Sequence, residues 1–240
     1  MSKRHRQSVK ASKRKRQEAR QPKKRAPYLP YVIVVIVAGA LVAALFVVSL
    51  GGSSPESVEA AYPPGYTAPE QGDADAPVEF VIWGDFQCPF CKRFETETLP
   101  RIRANYVDSG QVKLVWRNFE HYGRESEDAA TGAYCAGEQD KFWDYHDTLY
   151  TNQGGINSGS FSNSRLVQFA EENQLDIATF EACQTRFKYD AVLSADFNLG
   201  RNQGVTGTPG FFVNGQYVSG AQPYEVFAGI IDSEIIAAGP

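Results

Sequence analysis

Val78-Glu79-Phe80-Val81-Ile82-Trp83, a break at Gly84-Asp85, and then Gln87-Cys88-Pro89-Phe90-Cys91-Lys92-Arg93-Phe94 make up the stretch on which the fold turns. The first six residues are β-branched or aromatic apart from Glu79, which is the pattern of a buried strand. Pro89 suits a first helical turn, where its missing N–H has no acceptor to serve. Two cysteines three apart therefore stand at a strand-to-helix junction, with the helix expected to run to about residue 106. Residues 112–119 (VKLVWRNF) read as a second buried strand. A strand–helix–strand unit of this kind predicts parallel strands joined by a right-handed crossover.

Further along, residues 124–139, 141–150, 164–173 and 177–202 read as helices interrupted by Gly and Asn clusters, with no convincing strand among them. Strand pattern resumes at Phe211-Phe212-Val213, turns at Asn214-Gly215, returns at Gln216-Tyr217-Val218, and is followed by an amphipathic helix over residues 224–236. The expectation is an α/β domain over residues 78–240 that carries an all-helical insertion at about 121–203.

Cys-x-x-Cys supports two chemistries. Zinc commonly takes two such pairs, or one pair with two histidines, whereas here Cys135 and Cys183 stand apart and the three histidines are scattered. Redox chemistry is preferred, and neither a metal nor a cofactor is expected. Two thiols on the first turn of a helix can close on each other, and the unpaired N–H groups of the helix N-terminus lower the pKa of the first from ~8.5 toward neutrality. Cys88 is then the nucleophile, and Cys91, one turn further in, the resolving thiol. Lys92 and Arg93 read mainly as surface charges.

The chain resembles the DsbA-like thiol-disulfide oxidoreductases of the thioredoxin superfamily, in their membrane-anchored bacterial form. The resemblance covers about residues 78–236. It rests on Asp85-Phe86-Gln87-Cys88-Pro89-Phe90-Cys91, Arg117-Asn118-Phe119, Ala136-Gly137-Glu138-Gln139-Asp140-Lys141-Phe142-Trp143, Gly204-Val205-Thr206-Gly207-Thr208-Pro209, and Phe212-Val213-Asn214-Gly215. It implies a thioredoxin fold and a cis Pro209 beside the Cys-x-x-Cys. Thr208 would offer backbone groups to an extended substrate peptide, with Phe90 and Pro209 in the binding surface. The clients it implies are reduced or unfolded exported proteins, with reoxidation by a quinone-linked membrane partner and a monomeric catalytic domain.

Relatives often place a buried acid six residues before the first cysteine, and here that position is Ile82. Its loss weighs most on the reductase direction, in which the resolving thiol must be deprotonated. Pro89-Phe90 also lacks the His of the most oxidising members, so a potential of roughly −200 mV is expected. Cys183 shares a helical face with Phe180 and Phe187 and could be ordinary core. The helical stripe of Cys135 includes Asp128, Thr131, Gly132 and Glu138, which burial alone does not explain. Since some DsbA-like relatives carry a second disulfide in the insert, Cys135 and Cys183 are expected to pair. His121 reads as a loop residue with nothing to place it near Cys88, and His146, three after Trp143, as a packing or capping residue.

N-terminal to this domain the composition changes. Twelve of the 24 basic residues fall between Lys3 and Arg25, where Glu18 is the sole acid, leaving 12 basic against 27 acidic residues in the other 215. The formal charge of −4 is thus about +11 in the tail and −15 in the remainder. A basic nucleic-acid-binding domain is excluded by that acidic remainder, and the tail lacks the aromatics or periodicity of a folded module. Residues 31–50 hold 20 positions without a charge, which as a helix span about 30 Å, the thickness of a bilayer core. Tyr28 and Tyr31 border them and Lys23-Lys24-Arg25 precede them, so residues 1–27 are expected in the cytoplasm, 28–50 in contact with membrane lipids, and the domain outside. The alternative, a signal peptide cleaved near Val58-Glu59-Ala60, fits the long apolar and basic regions less well. Residues 51–77, with 12 of 27 positions Gly, Ser or Pro, read as a flexible linker. The resulting expectation is a cell-membrane disulfide oxidase, with a reductase or isomerase, or a tethered client-binding module without redox turnover, as alternatives.

Overall fold

The computed structural model describes residues 62–185 and 188–239. The expected basic tail, membrane helix and first part of the linker lie outside those residues. Among the described residues no helix is long and apolar enough to cross a membrane.

Five strands, β1 (Glu70–Gln71), β2 (Val78–Gly84), β3 (Val112–Asn118), β4 (Gly210–Val213) and β5 (Gln216–Ser219), form one sheet in the order β1-β3-β2-β4-β5. At its centre β2 (Val78–Gly84) runs parallel to β3 (Val112–Asn118), with Val78 opposite Val112 and Gly84 opposite Asn118. Val78, Phe80 and Ile82 alternate onto one face and are fully buried, as the β-branched and aromatic run requires. On the other side of β2 lies β4 (Gly210–Val213), antiparallel, followed by β5 (Gln216–Ser219). The two turn residues, Asn214 and Gly215, have φ of 45° and 83°, the left-handed pair that a tight two-residue hairpin needs.

Between β2 and β3 the helical run starts as α1 (Pro89–Arg93) and passes through a π-helical turn (Phe94–Thr98) into α2 (Leu99–Ile102) and a second π-helical turn (Arg103–Val107). Pro100 has no N–H for the carbonyl four residues back. The turn before it is widened, with Leu99 N bonding to Phe94 O. Phe94 then packs with Phe80, Phe211 and Phe227, the last on the C-terminal helix α8 (Tyr224–Ala238), which covers this face of the sheet. The insertion holds α3 (Arg124–Gly137), α4 (Phe142–Thr151), α5 (Asn163–Glu172), α6 (Ile177–Gln184) and α7 (Asp190–Asn202). The sequence had suggested one helix over 177–202, but α6 and α7 are separate. Cys135 on α3 and Cys183 on α6 are joined by a disulfide with Cα atoms 5.8 Å apart. The whole is a thioredoxin-like α/β fold with a helical insertion.

Residues 62–77, assigned above to a linker, are packed on this body. Within them β1 (Glu70–Gln71) pairs antiparallel with the outer edge of β3, Pro69 O accepts from Trp116 N at 2.9 Å, and Glu70 O accepts from Trp143 Nε1 at 2.8 Å. Further upstream, Tyr62 donates to the fully buried Asp196 on α7 at 2.6 Å. Asp196 also accepts from Tyr134 Oη (2.8 Å), Asn118 N (2.9 Å) and Arg117 Nη1 (3.3 Å). Proline and glycine made the segment look like a spacer. What folds it is an open strand edge and a buried acceptor, both distant in sequence.

Removing one partner of a buried ion pair strands the other. Asp196→Ala should therefore lower the stability of the chain by about 3 kcal/mol in chemical denaturation and speed proteolysis within residues 62–77. An unchanged midpoint and cleavage pattern would contradict the anchoring described.

Candidate active site

The chain turns sharply at the end of β2, and Asp85 holds the turn. Cys88 N bonds to Asp85 O at 3.0 Å. The Asp85 carboxylate accepts from Gln87 N at 2.7 Å and Ser126 Oγ at 2.7 Å through Oδ1, and from His121 N at 2.6 Å through Oδ2. Tyr150 Oη donates to its carbonyl at 3.1 Å. A fully buried carboxylate is tolerable because three donors meet it, and they come from three places: the loop itself, the loop after β3, and the first turn of α3. Gly84, just before the turn, has no room for a Cβ beside the Trp116 ring.

The insertion clamps the same loop from the far side. Gln153 Nε2 donates to Phe86 O (2.5 Å) and Cys88 O (3.0 Å), while its own carbonyl accepts from Lys92 Nζ at 2.8 Å. Gln87 Oε1 accepts from Asn157 N at 2.6 Å. Lys92 is thus engaged with a carbonyl, and Arg93 likewise bonds to Ala221 O at 2.9 Å while lying 5.4 Å from the centre of the Phe90 ring.

Cys88 is the N-cap of α1, and both it and Cys91 are free thiols in this structure. Cys88 Sγ accepts from Cys91 N at 3.4 Å, one of the donors a helix start leaves over, and itself donates to Thr208 O at 3.4 Å. A hydrogen bond from the Cys91 side chain, working against burial and helped by Thr208 and the backbone N–H groups, lowers the Cys88 thiol to about 6. Cys91 moves the other way: its burial pushes it well above the ordinary thiol range. The two sulfurs, three residues apart, are thus made chemically unequal.

The Thr208–Pro209 peptide bond is cis, and it sets the Thr208 carbonyl against Cys88. Phe90 projects from the first turn of α1 with 55% of its surface exposed. Ile82 is fully buried in β2. His121 lies beside the site after all, but through its backbone N–H on Asp85; its ring packs on Phe119 at 4.9 Å. Sequence reasoning missed Tyr122, whose hydroxyl is raised by burial first and then by the charges of Cys88 and Asp85 next to it. It also missed Gln87, Gln153 and Ser126 as the clamps of the loop. For these no local signal existed, because each is defined by a partner 39 or more residues away. Among the described residues, Cys135, Glu138 and Cys183 come close enough together to hold a metal, but the two sulfurs are spent on each other.

A helix-capping thiol of low pKa, a buried partner thiol one turn on, and a cis-proline loop against the first sulfur define a thiol–disulfide oxidoreductase on a thioredoxin fold. The chain belongs to the thioredoxin family, whose model matches residues 66–233. It is 31% identical over 148 residues, 60% of this chain and 68% of the relative, to the "Probable disulfide bond formation protein D" of Bacillus cereus. The solved structure of oxidised BdbD from Bacillus subtilis superposes with a TM-score of 0.67 at 26% identity, over 70% of this chain and 93% of that one. Wolbachia pipientis alpha-DsbA1, at 23% identity and a TM-score of 0.63 over 76% of this chain and 97% of that one, shares the fold.

A thiol titrating near 6 has a direct optical signature. Thiolate absorbance near 240 nm of the reduced protein should rise with a midpoint of about 6 and vanish in Cys88→Ser. Because the folded pKa lies below that of an unfolded thiol, the thiolate's contribution to the stability of the reduced form is complete above the unfolded value and fades as pH falls through about 6. The stability of the reduced form relative to the oxidised form should therefore decline from pH 8 to pH 5. A midpoint above 8 would contradict the hydrogen bonding described.

Proposed function

We propose that this chain is an extracytoplasmic disulfide oxidase that passes a Cys88–Cys91 disulfide to exported proteins. A client thiolate attacks Cys88 Sγ, the Cys88–Cys91 bond breaks, and the electron pair leaves on Cys91. A second client thiolate then attacks the client sulfur of the mixed disulfide and expels Cys88. The client loses two electrons to the cysteine pair, and the pair is reoxidised by a quinone-linked membrane partner. Cys88 is the attacked sulfur and Cys91 the resolving one.

The observation that carries this reading is the inequality of the two thiols. A thiol lowered to about 6 is a good leaving group at neutral pH, so expelling Cys88 from the mixed disulfide favours delivery of the disulfide to the client. The name of the Bacillus cereus relative, a disulfide bond formation protein, agrees with that direction. Thr208 supplies backbone groups for an extended client segment, Pro209 lies beside it in the binding surface, and the exposed Phe90 supplies an apolar contact beside the reacting sulfur. The Cys135–Cys183 bridge serves as a structural staple of the insertion. The charge-free residues 31–50, preceded by the basic tail, support an anchored protein whose domain faces outward.

The full chain, oxidised, should restore activity to a reduced and unfolded disulfide-containing enzyme far faster than air oxidation does, and should reduce insulin poorly. Cys88→Ser should abolish both activities. Rapid insulin reduction with negligible oxidative refolding would replace this reading with a reductase; activity surviving in Cys88→Ser would remove Cys88 from the chemistry.

A further inference from the structure

Expelling Cys91 creates a problem that the pair itself does not solve. Cys91 is walled in by the core, and burial holds its thiol well above the ordinary range against smaller favourable contacts from Asp85 and Thr208, so its sulfur leaves as an anion that the site disfavours. A proton must reach it. Cys88 cannot serve, because it is tied to the client at that moment. Asp85 accepts three hydrogen bonds and donates none.

Four residues after Cys91, on the same side of the helix by spacing, stands Glu95. Its side chain is only 3% exposed, and neither carboxyl oxygen has a hydrogen-bond partner. Nε2 of His146 on α4 lies 3.7 Å from Glu95 Oε2, and it too is buried and unpartnered. The other nitrogen, Nδ1, lies 2.8 Å from Asp147 Oδ1. Asp147 in turn takes both guanidinium nitrogens of Arg103, at 2.6 and 3.1 Å, and its side chain is 48% exposed. A line of ionisable groups therefore runs from a buried carboxyl one turn from Cys91 to solvent.

Protonation states along this line follow from the contacts. Against the effect of burial, hydrogen bonds from His146 and Arg103 hold Asp147 at about 2, so it is ionised and can only accept. Nδ1 of His146 must then carry the hydrogen. Burial lowers His146 and keeps it neutral, which leaves Nε2 as a bare lone pair facing Glu95. Burial raises Glu95 well above the carboxylate range; Arg103 opposes this and Asp147 reinforces it. A protonated Glu95 hydroxyl set against a bare imidazole nitrogen is a donor and an acceptor that need little movement to bond. Tyr150, the remaining titratable group of α4 in this region, is committed to Asp85 O.

We propose that Glu95 hands its proton to the Cys91 sulfur as that sulfur is expelled from the disulfide, while His146, oriented by Asp147, positions the Glu95 carboxyl. The client sulfur–Cys88 bond forms, the Cys88–Cys91 bond breaks, its electron pair stays on Cys91, and the Glu95 proton joins it there. The carboxylate left behind regains a proton from solvent, so reduction takes up one proton at this site. The inference rests on the assignment of Cys88 as the attacked sulfur.

The test follows reduction of the oxidised full chain by a small dithiol in rapid mixing, with rates expressed per dithiol thiolate from pH 5 to 9. Glu95→Gln, which keeps the volume and removes the acid, should slow reduction by about 100-fold and flatten the pH profile. Glu95→Asp should recover part of the rate, and His146→Gln should fall between wild type and Glu95→Gln. Wild type should be slower in deuterated solvent when compared at equal thiolate, a readout that does not depend on any variant folding. A Glu95→Gln rate and pH profile equal to wild type, or no solvent isotope effect in wild type, would overturn the proposal; a wild-type rate in His146→Gln would overturn the positioning role of His146. The 240 nm titration of Cys88 in each protein separates the two levels. Its retention in a slow Glu95→Gln supports proton supply to Cys91, and its displacement there would overturn the proposal in favour of an electrostatic effect on Cys88. Its absence in wild type would defeat the assignment of Cys88 itself.

Discussion

The Asp85 carboxylate is the point at which three separate parts of the chain are tied together. It fixes the turn that sets Cys88 at the start of α1, and it draws in the loop after β3 by His121 N and the insertion by Ser126 Oγ. Without that acceptor the donors of three segments would be buried unpaired, each at a cost of about 1–3 kcal/mol. Because the insertion is fastened here, Gln153 reaches the carbonyls of Phe86 and Cys88, and α4 brings His146 within 3.7 Å of Glu95. The insertion is therefore part of the site's construction, and its ties to the active loop hold Cys88 in place.

With Cys88 so placed, two familiar effects act in opposite directions on neighbouring sulfurs. Hydrogen bonds at the helix start favour the anion of Cys88, and burial disfavours that of Cys91. One turn of helix is enough to move a group from the capped end into the core, so three residues separate a thiolate from a thiol. In the function proposed here this difference favours passing the disulfide outward, and protonation of the inner sulfur is the step assigned to Glu95.

Much of this was legible in the sequence because it is local. The strand-to-helix junction, Pro89 on the first turn, the Asn214-Gly215 hairpin and the parallel pairing of β2 with β3 all follow from short-range pattern and handedness. Local pattern misled at residues 62–77, where Gly and Pro suggested a spacer; Glu70-Gln71 instead completes the edge of β3, and Tyr62 finds an acceptor 134 residues away. Ile82 suggested a site without a buried acid to serve the resolving thiol. The acid present, Glu95, lay in the surface-like run Glu95-Thr96-Glu97, and only the widened turn before Pro100 and the packing of α4 show which of the two glutamates faces inward. Tyr122 and Gln153 carried no signal of their own, since their roles exist only through contacts made in the folded chain.

The central claim is that Cys88 alone meets the client sulfur while Cys91 stays inside. Trapping tests it directly: Cys91→Ser in the full chain, exposed to a disulfide-containing client and digested without reduction, should yield by mass spectrometry a client peptide linked to Cys88. Cys88→Ser treated in the same way should yield none. A client adduct on Cys91, or none on Cys88, would contradict the account.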